Sequence, residues 1–212
     1  MTGEHYTQFR SALRAALASL DLACLSEEQV AQLVKHYSLM RAWNRRVNLT
    51  RIVEPDEAAR LHYADSLFGG RFIKGARRIL DIGSGAGFPA LPLAVLRPDV
   101  EVTALEANQK KSVFLNEAKD DLGLANFKVR TARLESFDLT GYDLLASRAL
   151  DRAEEVLPPV IARLDAGQRF MLYCAPDLLA KINNLLGPVI EVETHTMPLA
   201  EARLIAIFSR AG

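Results

Sequence analysis

The spacing of apolar residues changes character about one third of the way along the chain. Up to about residue 70, apolar side chains recur every three or four positions, which is typical of amphipathic helices. One predicted helix covers residues 9–20, a second begins at a capping box of residues 26–29, and a third follows Pro55 and stops at two glycines. We therefore predict a helical extension over residues 1–70.

From residue 77 onward, short apolar runs alternate with helical patterns. The predicted strands cover residues 79–82, 100–105, 127–131, 144–147, 169–174, 189–195 and 203–209, and the predicted helices cover residues 89–96, 110–122, 154–164 and 178–186. Alternating strands and helices imply a mostly parallel sheet with helices on both faces. We therefore predict an α/β domain over residues 71–212, with a ligand bound beyond the carboxyl ends of the strands.

The first predicted strand leads into a loop in which every second residue is glycine, at Gly83, Gly85 and Gly87. Glycine permits a sharp turn and lets a ligand approach without a Cβ in the way. A phosphate-binding loop is excluded because no lysine follows the glycines, and the dinucleotide fingerprint has Phe88 where its third glycine should stand. The remaining pattern, Gly-x-Gly-x-Gly after an acid, resembles the S-adenosylmethionine (SAM) loop of Rossmann-like methyltransferases, although an ordinary tight turn is the alternative.

The composition narrows the class of protein. Half of the 212 residues are apolar, which is enough for one or at most two compact domains. The 26 basic residues balance the 26 acidic ones, so an anionic partner requires a local basic patch. Cys24 and Cys174 form no CxxC pair, which is typical of a reducing compartment. Because no apolar run approaches the roughly 18 residues of a membrane span and the first residues lack a leader pattern, we expect a soluble cytoplasmic protein.

Two acidic motifs follow predicted strands. Glu106 ends the second strand, about 20 residues beyond the glycine loop, where a carboxylate can accept both hydrogen bonds of a ribose diol. This interpretation serves NAD as well as SAM, and a surface ion pair with Lys110 or Lys111 is the alternative. Leu134 and Glu135 follow the third strand, where a backbone N–H and a carboxylate can bind the edge of adenine, although the spacing alone favours an exposed loop.

Basic residues complete the candidate chemistry. Arg148 closes the fourth strand, where it can clamp a carboxylate or phosphate, or simply pair with Asp151 or Glu154. Between residues 28 and 54 the chain has no acid but carries basic and aromatic residues, namely Lys35, Tyr37, Arg41, Trp43, Arg45, Arg46 and Arg51. This mixture suits an RNA backbone with splayed bases, whereas a solvated helix face is the alternative. His62 has no second His or Cys beside it, so we interpret it as structural and expect no metal site.

Several motifs together resemble those of one family. They are Trp-Asn-Arg-Arg-Val-Asn-Leu-Thr at 43–50, His-Tyr-Ala-Asp-Ser-Leu at 62–67, Asp-Ile-Gly-Ser-Gly-Ala-Gly-Phe-Pro at 81–89, Lys-Lys at 110–111, Arg-Leu-Glu at 133–135 and Ser-Arg-Ala at 147–149. In this order and spacing they resemble the ribosomal RNA small subunit methyltransferase G family, also called glucose-inhibited division protein B. The likeness is strong over residues 40–150 and weak elsewhere.

The resemblance implies a SAM-dependent enzyme of ribosomal RNA processing that methylates N7 of guanine 527 in the 530 loop of 16S ribosomal RNA. It also implies a Rossmann-like seven-stranded sheet in the order 3-2-1-4-5-7-6, with the last strand antiparallel. The residues that the resemblance implies to bind SAM are Gly83, Phe88, Leu134, Glu135 and Arg148. We include Gly85 because it lies in the same glycine loop, and Glu106 because it ends the second predicted strand. The candidate RNA contacts are Arg45, Arg46, Arg51, Lys110 and Lys111.

No catalytic acid, base or nucleophile is expected. Guanine N7 has a lone pair and no proton, so positioning in a dry site should supply most of the acceleration. In A-form RNA this atom lies in a groove too narrow to reach, so the target should be a loop base or one drawn out of its stack. The expected partner is 16S ribosomal RNA or the small ribosomal subunit, and a monomer is the default.

Two departures from the family pattern concern the substrate. Ala90 stands where a glycine is usual, and Cys174, Ala175 and Pro176 stand where a Lys-Gly pair is common. Two alternatives stay open. A SAM-dependent methyltransferase of small molecules is favoured by the neutral overall charge, and a non-catalytic module that binds SAM or ribosomes would need only the binding residues.

Overall fold

The computed structural model describes residues 3–22, 25–148, 150–200 and 202–211, so the sequence arguments on Cys24 and Ala149 lie outside the described residues. A seven-stranded sheet in the order β3-β2-β1-β4-β5-β7-β6 forms its centre. The strands are β1 (Arg78–Ile82), β2 (Glu101–Leu105), β3 (Phe127–Arg130), β4 (Leu144–Arg148), β5 (Arg169–Cys174), β6 (Ile190–Thr196) and β7 (Leu204–Arg210). The first five strands are parallel, and β7 is antiparallel to both of its neighbours. The predicted fold class and strand order are confirmed.

Apart from the segment after Pro55, the predicted helices are present with ends shifted by a few residues. In the described part of the chain the α-helices are α1 (Gly3–Ser19), α2 (Glu27–Asn44), α3 (Pro55–Ala58), α4 (Asp65–Phe68), α5 (Ala90–Leu96), α6 (Gln109–Leu122), α7 (Ala153–Ile161) and α8 (Pro176–Asn183). The capping box at α2 is confirmed, because Ser26 Oγ accepts from the Gln29 amide while the Gln29 side chain accepts from the Ser26 amide. Over these residues no helix has the length and apolar character required to cross a bilayer.

Alternate residues of the central strands point to two faces of the sheet, each with its own apolar cluster. In β1, Ile79 packs on the face covered by α1–α6, whereas Leu80 packs on the face covered by α7 and α8. Phe9 and Tyr37, from the first two helices, are fully buried in the first cluster. The division at residue 70 stays a prediction; side chains from both parts of the chain pack together in the first of these clusters.

The helix predicted after Pro55 is not a regular α-helix. Between α3 and α4 lies a π-helical turn, Ala59–Ala64, in which the Asp65 amide donates to the Arg60 carbonyl five residues earlier. Within this turn His62 and Tyr63 are buried, while Leu61 is only half-buried. Because π-helical turns often occur at functional sites, we follow the contacts of this turn in the next subsection.

Candidate functional site

The glycine loop folds back over the end of β1. The amides of Gly83 and Ser84 donate to the Leu105 carbonyl of β2 at 2.9 and 3.2 Å. Gly83, Gly85 and Gly87 all have positive φ values, of +76°, +55° and +89°. Residues with a Cβ rarely adopt such values, so the prediction that glycine is needed for this sharp turn is confirmed.

Glu106 holds the glycine loop in place at the end of β2. It is only 7% exposed, and its two carboxylate oxygens accept hydrogen bonds from the amides of Gly85 (2.9 Å) and Asn108 (2.8 Å). The alternative of a surface ion pair with a neighbouring lysine is therefore not observed. Each carboxylate oxygen keeps a free lone pair, which leaves acceptors for the two hydroxyls of a ribose.

A cavity of about 350 Å³ opens beside these residues. Its wall brings together four of the predicted cofactor residues, Gly83, Glu106, Leu134 and Glu135. The rest of the wall is formed by Ile82, Leu105, Ala107, Lys111, Ala132, Arg133, Leu150, Asp151 and Val156. A glycine cradle, an acid at the end of the second strand and apolar walls fit a nucleoside, and the volume lies in the range of about 300–1,000 Å³ typical of small-molecule sites.

Phe88 and Arg148 lie in a second group of side chains, around His62. The His62 ring stacks on Phe88 with 4.4 Å between ring centroids and 14° between planes. The Arg148 guanidinium lies 5.7 Å from the centre of the Phe88 ring. Its Nη2 donates to the Leu61 carbonyl and to His62 Nδ1, and its Nη1 donates to the His62 carbonyl. Arg148 therefore binds the π-helical turn, and the predicted alternative of an ion pair with Asp151 or Glu154 is not observed.

Buried charges surround this group. Burial lowers the pKa of His62 well below its usual value, and the positive charges of Arg148 and Arg203 lower it further, so the imidazole is neutral at pH 7. Burial also lowers the pKa of Arg148 to about 10, which leaves the guanidinium protonated. Asp65, whose carboxylate lies 3.1 Å from Arg203, has a pKa raised by burial to about 6.

Asp81 is a residue to which the sequence argument gave no role. It precedes the glycine loop, is fully buried, and neither of its carboxylate oxygens has a hydrogen-bond partner among the described residues. Burial raises its pKa to about 7; the nearby Ser84 hydroxyl and Ala90 amide lower it without reaching full hydrogen-bond geometry. A buried carboxylate without a partner requires an explanation, and the ammonium group of a ligand would supply one. The acid before the first glycine was the available sequence signal.

The basic residues predicted to contact RNA lie in different places. Trp43, Arg45, Arg46 and Lys110 line a groove of about 620 Å³ between α2 and α6, which we call the Trp43 groove. Lys111 lines the cavity beside Glu106 instead, and Arg51 is an exposed residue that lines neither. The remaining walls of the groove are Leu39, Ala42, Val47, Val113 and Glu117.

His36 connects the N-terminal helices to the glycine loop. It is fully buried; its Nε2–H donates to the Ala86 carbonyl at 3.1 Å, and its Nδ1 accepts from the Tyr63 hydroxyl at 2.8 Å. Burial lowers the pKa of His36 to about 3. In the described ranges, no three His, Cys, Asp or Glu side chains are arranged to hold a metal ion.

Comparisons with known proteins agree on one family. Residues 29–186 match the family model described as rRNA small subunit methyltransferase G. The chain is 42% identical over 167 residues to Ribosomal RNA small subunit methyltransferase G of Solibacter usitatus, covering 78% of this chain and 80% of that protein. It is 40% identical over 137 residues to the protein of the same name from Neisseria meningitidis serogroup C, covering 65% of this chain and 66% of that protein.

Among solved structures, a SAM-dependent O-methyltransferase from Thermotoga maritima is similar with a TM-score of 0.57 and 19% identity, over 82% of this chain and 71% of that one. At this level of identity the likeness concerns the fold, which is the Rossmann-like methyltransferase fold.

Proposed function

This chain belongs to the rRNA small subunit methyltransferase G family, and from that premise we propose that it transfers the methyl group of SAM to N7 of a guanine in 16S ribosomal RNA. The enzyme class, a SAM-dependent rRNA methyltransferase, follows from the family. The proposal adds the atom and the base, guanine 527 of the 530 loop, which are the target implied by the motifs of the sequence. A cytoplasmic location and a monomeric state belong to the same proposal.

The observation that carries the proposal is the convergence of the glycine loop and Glu106 on one cavity at the carboxyl end of the sheet. We assign the ribose hydroxyls to Glu106 and the adenine edge to Leu134 and Glu135. The glycine loop, with Gly83 and Gly85, accommodates the nucleoside. Asp81, with its unpaired buried carboxylate, supplies a counter-charge for the methionine ammonium group.

Phe88 and Arg148 are assigned to the end of the site from which the methyl group leaves. The contacts of Arg148 with the π-helical turn leave its Nε–H and one Nη1–H without a partner among the described residues. These donors are available for the methionine carboxylate or for an RNA phosphate.

Bound SAM supplies a methyl group on a positively charged sulfur. The chain then has to orient the guanine and exclude water, because N7 has no proton to remove. Neutral His62, stacked on Phe88, provides a flat apolar wall at this point rather than a base.

The Trp43 groove is the proposed contact with RNA outside the active site. Its cations, Arg45, Arg46 and Lys110, face a single acid, Glu117, which is already occupied by the Trp43 Nε1–H at 3.1 Å. A cationic groove with an indole in its wall suits a phosphate backbone and a stacked base. Arg51, which is exposed, and Lys111, which lines the cavity beside Glu106, stay candidate RNA contacts outside the groove.

The first experiment measures transfer of labelled methyl from SAM to small ribosomal subunits from cells that lack the enzyme. Borohydride and aniline treatment then cleaves the RNA at N7-methylguanine and locates the base. A single cleavage in the 530 loop is expected. Labelling of small molecules but not RNA would support the alternative enzyme, and SAM binding without any turnover would support a non-catalytic module.

The RNA contact is tested with the double variant Arg45→Ala/Arg46→Ala. We expect a higher KM for RNA, an unchanged KM for SAM and a salt dependence of binding weaker by about two units of slope, since each lost phosphate contact removes about one. Arg210→Ala is the matched control, because Arg210 ends β7 at the opposite end of the sheet. Equal salt slopes for the double variant and the wild type would contradict the assignment of the groove.

A further inference from the structure

The segment 44–50 forms a closed loop whose role the proposed function leaves unexplained. Asn44 closes it, because its Oδ1 accepts from the amides of Leu49 (2.8 Å) and Thr50 (3.0 Å) while its Nδ2 donates to the Thr50 carbonyl (2.9 Å). Arg45 and Arg46 lie in this loop, directly after Asn44. The loop therefore fixes the basic residues of the Trp43 groove relative to Thr50.

Thr50 connects this loop to His62 through a hydrogen bond. Its Oγ1 lies 2.8 Å from His62 Nε2 and also accepts from the Ile52 amide at 3.1 Å. Arg148 Nη2 donates to the other ring nitrogen, Nδ1, at 2.9 Å. Since arginine can only donate, Nδ1 carries no proton, and a neutral His62 must therefore donate from Nε2 to Thr50. The tautomer and the orientation of the ring are both determined by these two bonds.

His62 in turn contacts both residues assigned to the methyl end of the site. Its ring stacks on Phe88 and its Nδ1 accepts from Arg148. A chain of direct contacts thus runs from the Trp43 groove through Asn44, Thr50 and His62 to Phe88 and Arg148. Thr50 is half-buried and His62 is 7% exposed, so water competes little for the bonds within the chain.

We propose that Thr50 and His62 are positioning residues for methyl transfer. They act through Phe88 and Arg148, and they connect the loop 44–50, with its proposed RNA contacts, to the reacting centre. The contacts that carry this role are the stacking of His62 on Phe88 and its hydrogen bonds with Arg148 and Thr50. The inference rests on the proposed function, because it concerns the geometry of that reaction. It predicts that RNA held by the loop and SAM held by the cavity affect each other's binding through Thr50.

The test compares Thr50→Val, which keeps the shape but removes the acceptor for His62 Nε2–H, with Thr50→Ser, which keeps the hydroxyl. We expect Thr50→Val to lower kcat about tenfold, as expected for the loss of one buried hydrogen bond that orders the site. The Kd for SAM, measured without RNA, should change by less than about threefold. Thr50→Ser should restore kcat, and in the valine variant RNA should no longer change the affinity for SAM.

Thr103→Val is the matched control. Thr103 is buried in β2, and its hydroxyl has no hydrogen-bond partner among the described residues, so the same substitution should leave kcat unchanged. A second variant, His62→Phe, keeps the ring on Phe88 but loses both hydrogen bonds. It should reduce kcat at least as much as Thr50→Val, whereas a purely stacking role for His62 would leave kcat near that of the wild type.

The outcomes separate the two proposals. If the wild type methylates ribosomal RNA and Thr50→Val has the same kcat per folded molecule, the positioning role is wrong while the proposed function stands. The positioning role is equally wrong if Thr50→Val lowers only the melting temperature. It is also wrong if Thr50→Ser, compared at the same folded fraction, does not restore kcat. If the wild type transfers no methyl group to RNA, the proposed function fails, and the inference that depends on it fails as well.

Discussion

Replacing His36 by glutamine tests the buried contact between α2 and the glycine loop. The native imidazole is neutral and has a pKa of about 3, whereas an unfolded histidine has a pKa of about 6.5. Because the unfolded chain binds the proton more readily, the stability contributed by neutral His36 is fully present above pH 6.5 and is lost as the pH falls toward 3.

The size of the effect follows from these two pKa values. At pH 7.5 the unfolded histidine is mostly neutral, so the difference in proton binding lowers the free energy of unfolding by almost nothing. At pH 5.0 it is protonated in the unfolded chain and neutral in the folded one, which costs about 1.36 kcal/mol for each of about 1.5 pH units, or about 2 kcal/mol. Since pH 5.0 lies well above the folded-state pKa, this result depends almost entirely on the unfolded value.

The assay is urea unfolding of the wild type and His36→Gln at pH 7.5 and 5.0, followed by far-UV circular dichroism. At pH 7.5 the variant should be less stable than the wild type by about 1–3 kcal/mol, because glutamine makes imperfect hydrogen bonds to Tyr63 and Ala86. Glutamine does not titrate, so the stability of the variant lacks the pH dependence that His36 gives the wild type. The difference from the wild type should shrink by about 2 kcal/mol at pH 5.0. Asp65, Asp81 and His62 titrate in both proteins and cancel in the difference.

The reasoning would be refuted by a stability difference that is the same at both pH values, because His36 would then bind a proton in the folded protein. Thr103→Val serves as the control, since a substitution without a titrating group should give the same difference from the wild type at pH 7.5 and 5.0. The SAM affinity of His36→Gln, measured at pH 7.5, should also fall, because His36 holds the Ala86 carbonyl of the glycine loop.

Three further substitutions, the first with its own control variant, address the cavity and the packing around Tyr173. Gly83→Ala should weaken SAM binding at least about tenfold, because φ is +76° and a Cβ would lie 2.5 Å from Leu150 in the cavity wall. Gly123→Ala is the control, because Gly123 has φ +66° but open space around it. This control should lose about 1 kcal/mol of stability and keep the wild-type affinity for SAM in calorimetry. Glu106→Gln should weaken SAM binding by about 10- to 100-fold, because one acceptor becomes a donor facing an amide, and an unchanged dissociation constant would contradict its role. Gly69→Ala should lower the melting temperature by several degrees, since a Cβ would lie 1.8 Å from Tyr173 Oη, and an unchanged transition would show that Tyr173 moves freely.

Local patterns were sufficient to single out Gly83, Glu106, Leu134 and Glu135, which the structure brings together around one cavity. The alternating glycines need positive φ values that few other residues adopt, and the acid at Glu106 follows from its distance along the chain after the loop. The order of the strands came from the resemblance to a family, because apolar runs alone do not determine which strands are neighbours. Ends of helices moved by a few residues, since fraying and capping depend on contacts with the rest of the molecule.

The contacts around His62 could not be predicted from the sequence. They join Thr50, His62 and Arg148, which are separated by 12 and 86 positions, and they depend on a π-helical turn that periodicity arguments read as ordinary helix. The different surroundings of Lys110 and Lys111 also escaped prediction, because successive residues at the start of a helix point in directions about 100° apart.

The position of β7 between β5 and β6 has a consequence for the synthesis of the chain on the ribosome. Strand β6 is made first, but among the described strands its sole hydrogen-bonded neighbour is β7, which is made later. Until β7 emerges, β5 presents an open edge, and the nascent chain carries unpaired strand segments that can pair with other chains. The vectorial order of synthesis thus leaves closure of the sheet to its final strand, and stalling just before residue 204 should yield a protease-sensitive, chaperone-dependent intermediate.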